Sequence, residues 1–211
     1  GMGLFSSVKY IYKYGYRHNA LLLCIIAVVL FSCTQKKYAN PRIQIETKYG
    51  IIEAELYPSK APQTCAAILS YVDSGFYEDA SFYRVLNVTN QPSNAPKTEI
   101  LQGGLWKTNY MKLYEMKGIP HEPTSKTGIK HTDGVLSLAR NVPGTANAEF
   151  FICIGNQSGL DEGGENVEDK LGYAAFGKVI RGMSVVRKIY MLNDHEQMLT
   201  PPVAIYNITR K

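Results

Sequence analysis

The chain is organised around Ser81-Phe82-Tyr83-Arg84-Val85-Leu86 and the Leu101-Gln102-Gly103-Gly104 that follows it. The first run is short, aromatic and β-branched, which favours a strand. Strict alternation would put Phe82, Arg84 and Leu86 on one face and Tyr83 and Val85 on the other. Taken alone, Arg84 on such a face describes an edge arginine whose methylene stem lies on apolar surface. In the second run the paired glycines either end a strand or let another segment approach its backbone closely.

Upstream, residues 42–47 alternate, with Ile43 and Ile45 inward. Lys48-Tyr49-Gly50 is a turn, and Ile52, Ala54 and Leu56 alternate in their turn, so the pair predicts a β-hairpin. Pro62 suits the first turn of a helix, and Cys65, Ile68, Leu69 and Val72 supply its apolar face to about residue 73. Downstream, residues 87–98 are polar with two prolines and predict an exposed loop. Residues 105–118 carry Trp106, Tyr110 and Tyr114 without clean periodicity, and are read as a long excursion. Strands are predicted over 134–140, 149–154, 173–180 and 203–210. A second helix is predicted over 183–192, with Val185, Val186, Ile189 and Leu192 on one side. Many short strands with two helices imply a mainly β chain, a closed antiparallel barrel with helices covering its ends.

These pieces, taken in order, carry a resemblance. Ala61-Pro62-Gln63-Thr64, Gly75-Phe76-Tyr77, Phe82-Tyr83-Arg84-Val85, Gln102-Gly103-Gly104, Gly134-Val135-Leu136-Ser137-Leu138-Ala139, Glu149-Phe150-Phe151-Ile152, Leu160-Asp161 and Phe176-Gly177-Lys178-Val179 together resemble the cyclophilins, which are peptidyl-prolyl cis–trans isomerases. The resemblance spans residues 42–210. It implies a closed eight-stranded antiparallel barrel capped by two helices, with the site on its outer face. It further implies Arg84 as the catalytic arginine and Gln102 as its polar neighbour. Phe151, Leu160 and Ile100 would line the pocket for the proline ring, with Phe82, Glu149 and Tyr173 among the substrate-binding positions. Ala139 and Arg140 would lie along the groove for the residue before proline. Proline-containing polypeptides are the implied partners, the domain is expected to act as a monomer, and the chemistry requires no cofactor and no metal.

The chain departs from the family pattern where Tyr83 follows Phe82, where Glu99 precedes Ile100, where Glu149 begins Glu-Phe-Phe, and where Gly159 precedes Leu160. The loop 87–98 is longer than usual, and Tyr173 stands where many members have His. Glu99 or Glu149, if turned toward Arg84, would pair with it and draw it off target; the alternative is that both face solvent. Glu149 lies two residues before Phe151, shares that face of the strand and is the greater concern of the two. These departures support an alternative, a peptide-binding or chaperone module with little isomerase activity. A further alternative is a structural lipoprotein whose barrel presents loops to a partner.

The first 32 residues read as a leader. Lys9, Lys13 and Arg17 precede an apolar run over 20–31, shorter than the about 20 residues that span a bilayer. The run ends in Leu30-Phe31-Ser32-Cys33, which resembles a bacterial lipobox with Cys33 as the lipidated first residue of the mature chain. A plain signal peptide or a short membrane anchor are the other readings. The expected organisation is therefore a signal peptide over 1–32, a polar tether over 33–41 and the barrel over 42–211. A lipid anchor would place the domain at the membrane of a bacterial envelope, facing the periplasm or the exterior. Without the leader, 20 basic side chains stand against 18 acidic ones, so the net charge of +5 falls to +2 and gives no indication of nucleic acid as a partner.

Cys65 and Cys153 could pair in an exported domain, but each sits on an apolar face and free buried thiols are the expected state. His121 and His131 do not have the spacing of a helical zinc pair, and the acidic residues of 161–169 do not follow the EF-hand pattern. His195, between Asp194 and Glu196, reads as a solvated turn.

Overall fold

The computed structural model describes residues 37–211, and the predicted leader and Cys33 lie outside them. Residues 39–211 form one compact unit. Its first hairpin pairs β1 (Arg42–Thr47) with β2 (Gly50–Leu56) in the register Arg42↔Glu55 to Thr47↔Gly50. The isoleucines of β1 point into the core as the alternation requires.

Helix α1 (Pro62–Asp73) buries Thr64, Cys65, Ile68, Leu69 and Val72. Ala61 at its N-cap has no side chain able to accept the first free N–H groups. Glu122 supplies the cap from a distant part of the chain. Its Oε1 accepts from the Gln63 N–H at 3.2 Å, and its Oε2 accepts from the Thr64 N–H and hydroxyl at 2.9 and 2.7 Å.

The remaining elements are β3 (Ala80–Leu86), β4 (Ile100–Gly104), α2 (Met111–Tyr114), α3 (Thr124–Thr127), β5 (Val135–Leu138), β6 (Phe150–Cys153), β7 (Ala175–Arg181), α4 (Met183–Tyr190), β8 (Asp194–His195) and β9 (Met198–Arg210), with a single 3-10 turn at Ser158–Leu160. The sheet runs β1-β2-β7-β5-β6-β4-β3-β9, and pairing of β1 with β9 closes it into the expected eight-stranded antiparallel barrel. β8 pairs with β9 as the short arm of a hairpin. α1 and α4 are the two substantial helices of the described residues, while α2 and α3 are single turns. α2 buries nothing, as an aperiodic excursion would. No helix among the described residues is long and apolar enough to cross a membrane.

The interior is filled by Ile45, Ile52, Leu56, Phe82, Leu101, Leu136, Ile152 and Phe176, so a ligand site must lie outside it. Phe150 packs edge-on against both Tyr77 and Phe82, with ring centroids 6.0 Å apart in each pair. Gly103 permits this packing, because a Cβ there would meet the Phe82 ring at 2.8 Å.

Two features differ from the sequence expectation. A bulge interrupts β3 between Phe82 and Arg84, so strict alternation fails there. Phe82 turns inward and is fully buried, and Tyr83 and Arg84 both reach the outer surface of the barrel. The expectation that Phe82 binds substrate is therefore corrected. β9 also begins at Met198, ahead of the expected Val203. Across the bulge its partners jump from Val203 opposite Phe82 to Met198 opposite Arg84. Pro201 and Pro202 fall inside that jump, where no ladder N–H is required of them.

Cys65 and Cys153 are free and buried. Burial pushes the Cys65 thiol up to about 12, and Cys153 higher still.

Candidate active site

A groove of about 730 Å3 runs over the outer face of β3, β4 and β6. The structure brings Arg84, Gln102, Ile100, Ala139, Arg140, Glu149, Phe151, Leu160 and Tyr173 together along it, which is every expected site residue of the barrel except Phe82.

One part of the groove is apolar. Phe151, Leu160 and Ile100 are 2, 4 and 6 % exposed and form a pocket into which only part of each side chain shows. Tyr173 packs edge-on against Phe151 at 5.4 Å, and the His131 ring lies nearly parallel to Phe151 at 6.0 Å. His131 is wholly buried. Its Nδ1 is 2.8 Å from Asp161 Oδ1, and its Nε2 is 2.9 Å from Ser137 Oγ. Burial lowers the pKa of the ring against the opposing pull of Asp161, so it is neutral, donating from Nδ1 and accepting at Nε2. Ser, His and Asp here make a hydrogen-bonded chain of the kind hydrolases use, but His131 and Ser137 are both closed to solvent. It holds the His131 ring in place beside Phe151.

The other part is polar and linked from end to end. Glu149 accepts from the backbone N–H groups of Leu105 at 2.7 Å and Trp106 at 2.9 Å, and from the Tyr83 hydroxyl at 3.0 Å. Burial pushes this carboxyl above its ordinary range, against the pull of the two N–H groups. The Tyr83 phenol is pushed far up by burial and by Glu149, so it keeps its proton and donates. Gln102 Nε2 donates to the Tyr83 oxygen at 2.9 Å, which leaves Gln102 Oε1 to accept from Arg84 Nη1 at 3.2 Å. The amide of Gln102 is thus oriented by the phenol behind it. Gly104 makes room for the start of this chain, since a Cβ there would fall inside the Glu149 carboxylate.

The expected threat to Arg84 from a nearby carboxylate is not realised. Glu149 is occupied as described, and Glu99 accepts from the Tyr190 hydroxyl at 2.7 Å. Among the described residues, the hydrogen-bond partners of Arg84 are two glutamines. Gln102 is one; Gln197 is the other, with Oε1 accepting from Nε at 3.1 Å and from Nη2 at 2.7 Å. A guanidinium has five N–H donors, so one on each terminal nitrogen remains for a further acceptor.

Arg140 borders the groove, but its guanidinium is engaged elsewhere. It grips the Asp169 carboxylate at 2.8 and 3.0 Å, donates to the Gly172 carbonyl, and stacks on Tyr173 at 5.0 Å. It thereby braces the acidic loop beside the pocket, and the Asp169 carboxyl is held below its usual range by that contact. Among the described residues no group of His, Cys, Asp and Glu side chains could hold a metal ion.

Several residues in the groove or bonded to Arg84 escaped the sequence reading. Tyr83 was misplaced by the bulge, which leaves no mark in the pattern of residue types. Gln197 follows a charged run that reads as a solvated turn. Trp106, Tyr110 and Tyr114 extend the groove as exposed rings, and their apolar character within a polar excursion was the available signal.

Comparison with known proteins agrees with this fold. The family model for cyclophilin-type peptidyl-prolyl cis-trans isomerases matches residues 42–210. A peptidyl-prolyl cis-trans isomerase of Acinetobacter baylyi is 32% identical over 179 residues, covering 82% of this chain and 87% of its own. Peptidyl-prolyl cis-trans isomerase B of Escherichia coli is 32% identical over 148 residues, covering 70% and 82%. The crystal structure of a cyclophilin-type isomerase from Cryptosporidium parvum superposes with a TM-score of 0.62 at 22% identity, covering 82% of this chain and 98% of that one. A second structure of that protein, in the presence of the dipeptide Ala-Pro, gives a TM-score of 0.63 at 24% identity, with coverage of 81% and 98%. The chain belongs to the cyclophilin-type peptidyl-prolyl cis-trans isomerases, and its fold is theirs.

Proposed function

We propose that the groove accelerates rotation about X–Pro bonds with Arg84 as the catalytic residue, and that the pocket of Phe151, Leu160 and Ile100 seats the proline ring. The observation that carries this reading is the Arg84 guanidinium. It is fixed on two sides by neutral amides, with an N–H left on each terminal nitrogen, in a groove that also contains an apolar pocket.

An X–Pro bond prefers trans by only ~0.5–1 kcal/mol, yet rotation faces ~18–20 kcal/mol, most of it amide resonance. A catalyst needs only to favour the twisted amide over the planar one. On twisting, the prolyl nitrogen becomes pyramidal and regains a lone pair. A guanidinium N–H beside it can donate to that lone pair, and gains almost nothing from the planar ground state. A guanidinium is a permanent cation that presents its donors in a rigid fork. Phe151 and its neighbours exclude water, which strengthens the bond formed at the transition state. No proton leaves Arg84 and no covalent intermediate forms. The dipeptide Ala-Pro in the structure of the Cryptosporidium relative supports proline-containing segments as the substrate class.

The leader supports a finer reading, in which Cys33 carries lipid and tethers the domain at the bacterial cell envelope, where it acts on exported proteins. Its test is Cys33→Ala, which is expected to release the protein from the membrane fraction or leave the leader uncut. Unchanged partitioning with a normally cleaved leader would defeat it.

The catalytic reading is tested by a protease-coupled isomerisation assay. Wild type should speed the exchange of an X–Pro peptide, and Arg84→Lys should recover little of what Arg84→Ala loses, because an ammonium lacks the planar fork. Binding of proline peptides without acceleration would favour the chaperone alternative.

A further inference from the structure

Gln197 occupies the two-residue turn between β8 and β9, pairing His195 with Met198. Glu196 and Gln197 have φ of +50° and +73°, the left-handed pair that a two-residue type I′ turn demands. Neither residue is Gly or Asn, the usual occupants of such a turn. The side chain that results faces Arg84. Its Oε1 accepts from both Nε and Nη2 of the guanidinium, and its Nε2 donates to the Asn90 carbonyl at 3.1 Å. Arginine only donates and a carbonyl only accepts, so the amide has a single allowed orientation.

The turn is itself fastened to the loop 87–98, which is longer than the link in the cyclophilin pattern. Asp194 accepts from Asn87 Nδ2 at 3.4 Å, from Asn90 Nδ2 at 3.2 Å and from the Gln197 N–H at 2.9 Å. Asn90 Nδ2 also donates to the Val85 carbonyl at 3.0 Å, and the Val85 N–H donates to the Gln197 carbonyl at 2.9 Å. Loop, turn and the strand carrying Arg84 therefore form one closed set of hydrogen bonds.

We propose that Gln197 is a positioning residue for isomerisation: it locks the plane of the Arg84 guanidinium, and the loop 87–98 exists in this chain to hold Gln197 in place. The proposal rests on Arg84 being the catalytic donor. Gln102 alone fixes one corner of the guanidinium and leaves it free to swing. Gln197 engages the edge formed by Nε and Nη2, so the two contacts together determine the plane and the aim of the remaining N–H groups. Hydrogen bonding to a developing lone pair depends steeply on that aim.

Gln197→Gly removes the amide and leaves a residue suited to φ of +73°. It is expected to lower kcat about tenfold while KM moves less than twofold. In the Arg84→Ala background, assayed at high enzyme concentration, the same substitution should change kcat less than twofold. Unchanged kcat in the single variant, or an equal loss in both backgrounds, would overturn the proposal. The wild type offers a check that needs no variant to fold. The Arg84 Nε–H signal, assigned by its disappearance in Arg84→Lys, should exchange slowly with solvent; exchange as fast as that of a free arginine would also overturn it. Full activity in Arg84→Ala would defeat the underlying reading. An inactive Arg84→Ala beside a fully active Gln197→Gly would defeat this inference alone.

Discussion

Arg84 and Phe151 border the same groove, but one is fixed by directed hydrogen bonds and the other by packed rings. The polar side is a chain of donors and acceptors from Glu149 through Tyr83 and Gln102 to Arg84, closed by Gln197. At each link a group that can only donate or only accept sets the sense of the bond, so the chain fixes direction. The apolar side, Phe151 between Tyr173 and the buried His131, fixes the shape of the pocket. The difference predicts that damage to the polar side appears mainly in turnover, and damage to the apolar side in stability and substrate affinity together.

Phe151→Ala tests the apolar side with the largest effect. It empties a fully packed site and should cost about 3–5 kcal/mol of stability in denaturant unfolding, with loss of proline-peptide binding. If binding survives at wild-type strength, the proline ring sits elsewhere. Tyr83→Phe tests the polar side. It keeps the ring, but takes one donor from Glu149 and leaves Gln102 Nε2 without its acceptor. We expect a cost of about 1–3 kcal/mol and a turnover reduced roughly three- to tenfold. Unaltered turnover would mean that Gln102 is not oriented by Tyr83.

His131 sharpens the apolar side through pH. Its folded pKa is lowered from 6.5, so folding favours the neutral ring. The stability it contributes is fully present above 6.5 and is lost as pH falls below that value toward its folded pKa, at up to about 1.4 kcal/mol per pH unit. Its ring NMR signals should accordingly titrate below 6.5; a midpoint at or above 6.5 would contradict the packing described. The smallest effect is expected at Cys65 and Cys153. Neither should react with a thiol reagent in the folded protein, and both should react after unfolding without reductant. Reaction only after reductant would show that they had been paired.

The barrel was legible because its first hairpin places alternate apolar residues inward and its turns carry Gly and Pro. Ile43, Ile45, Ile52, Ala54 and Leu56 lie inward as their spacing requires. The apolar pocket was legible through family order, and the ordered run of Arg84, Gln102 and Phe151 placed the groove. What sequence did not convey is where a hydrogen bond replaces a periodicity. The bulge at Tyr83 reverses the alternation across it, putting Phe82 inward and Tyr83 outward, without changing any residue type. Glu149 reads as a charge able to reach Arg84, but its carboxylate is taken by two backbone N–H groups and a phenol. The Glu122 cap of α1 and the Gln197 contact join segments far apart in the chain, and nothing local to either announces its partner.

The central claim is that Arg84 acts on the twisted amide and contributes little to binding the planar one. NMR exchange spectroscopy on the enzyme-bound X–Pro peptide measures the interconversion of bound cis and trans directly, separately from affinity. For Arg84→Ala the account predicts that this rate falls ten- to a thousandfold, about 1.4–4 kcal/mol of transition-state stabilisation, while peptide affinity stays within about threefold of wild type. An unchanged bound-state rate, or a loss of affinity large enough to account for the whole fall in turnover, would contradict it.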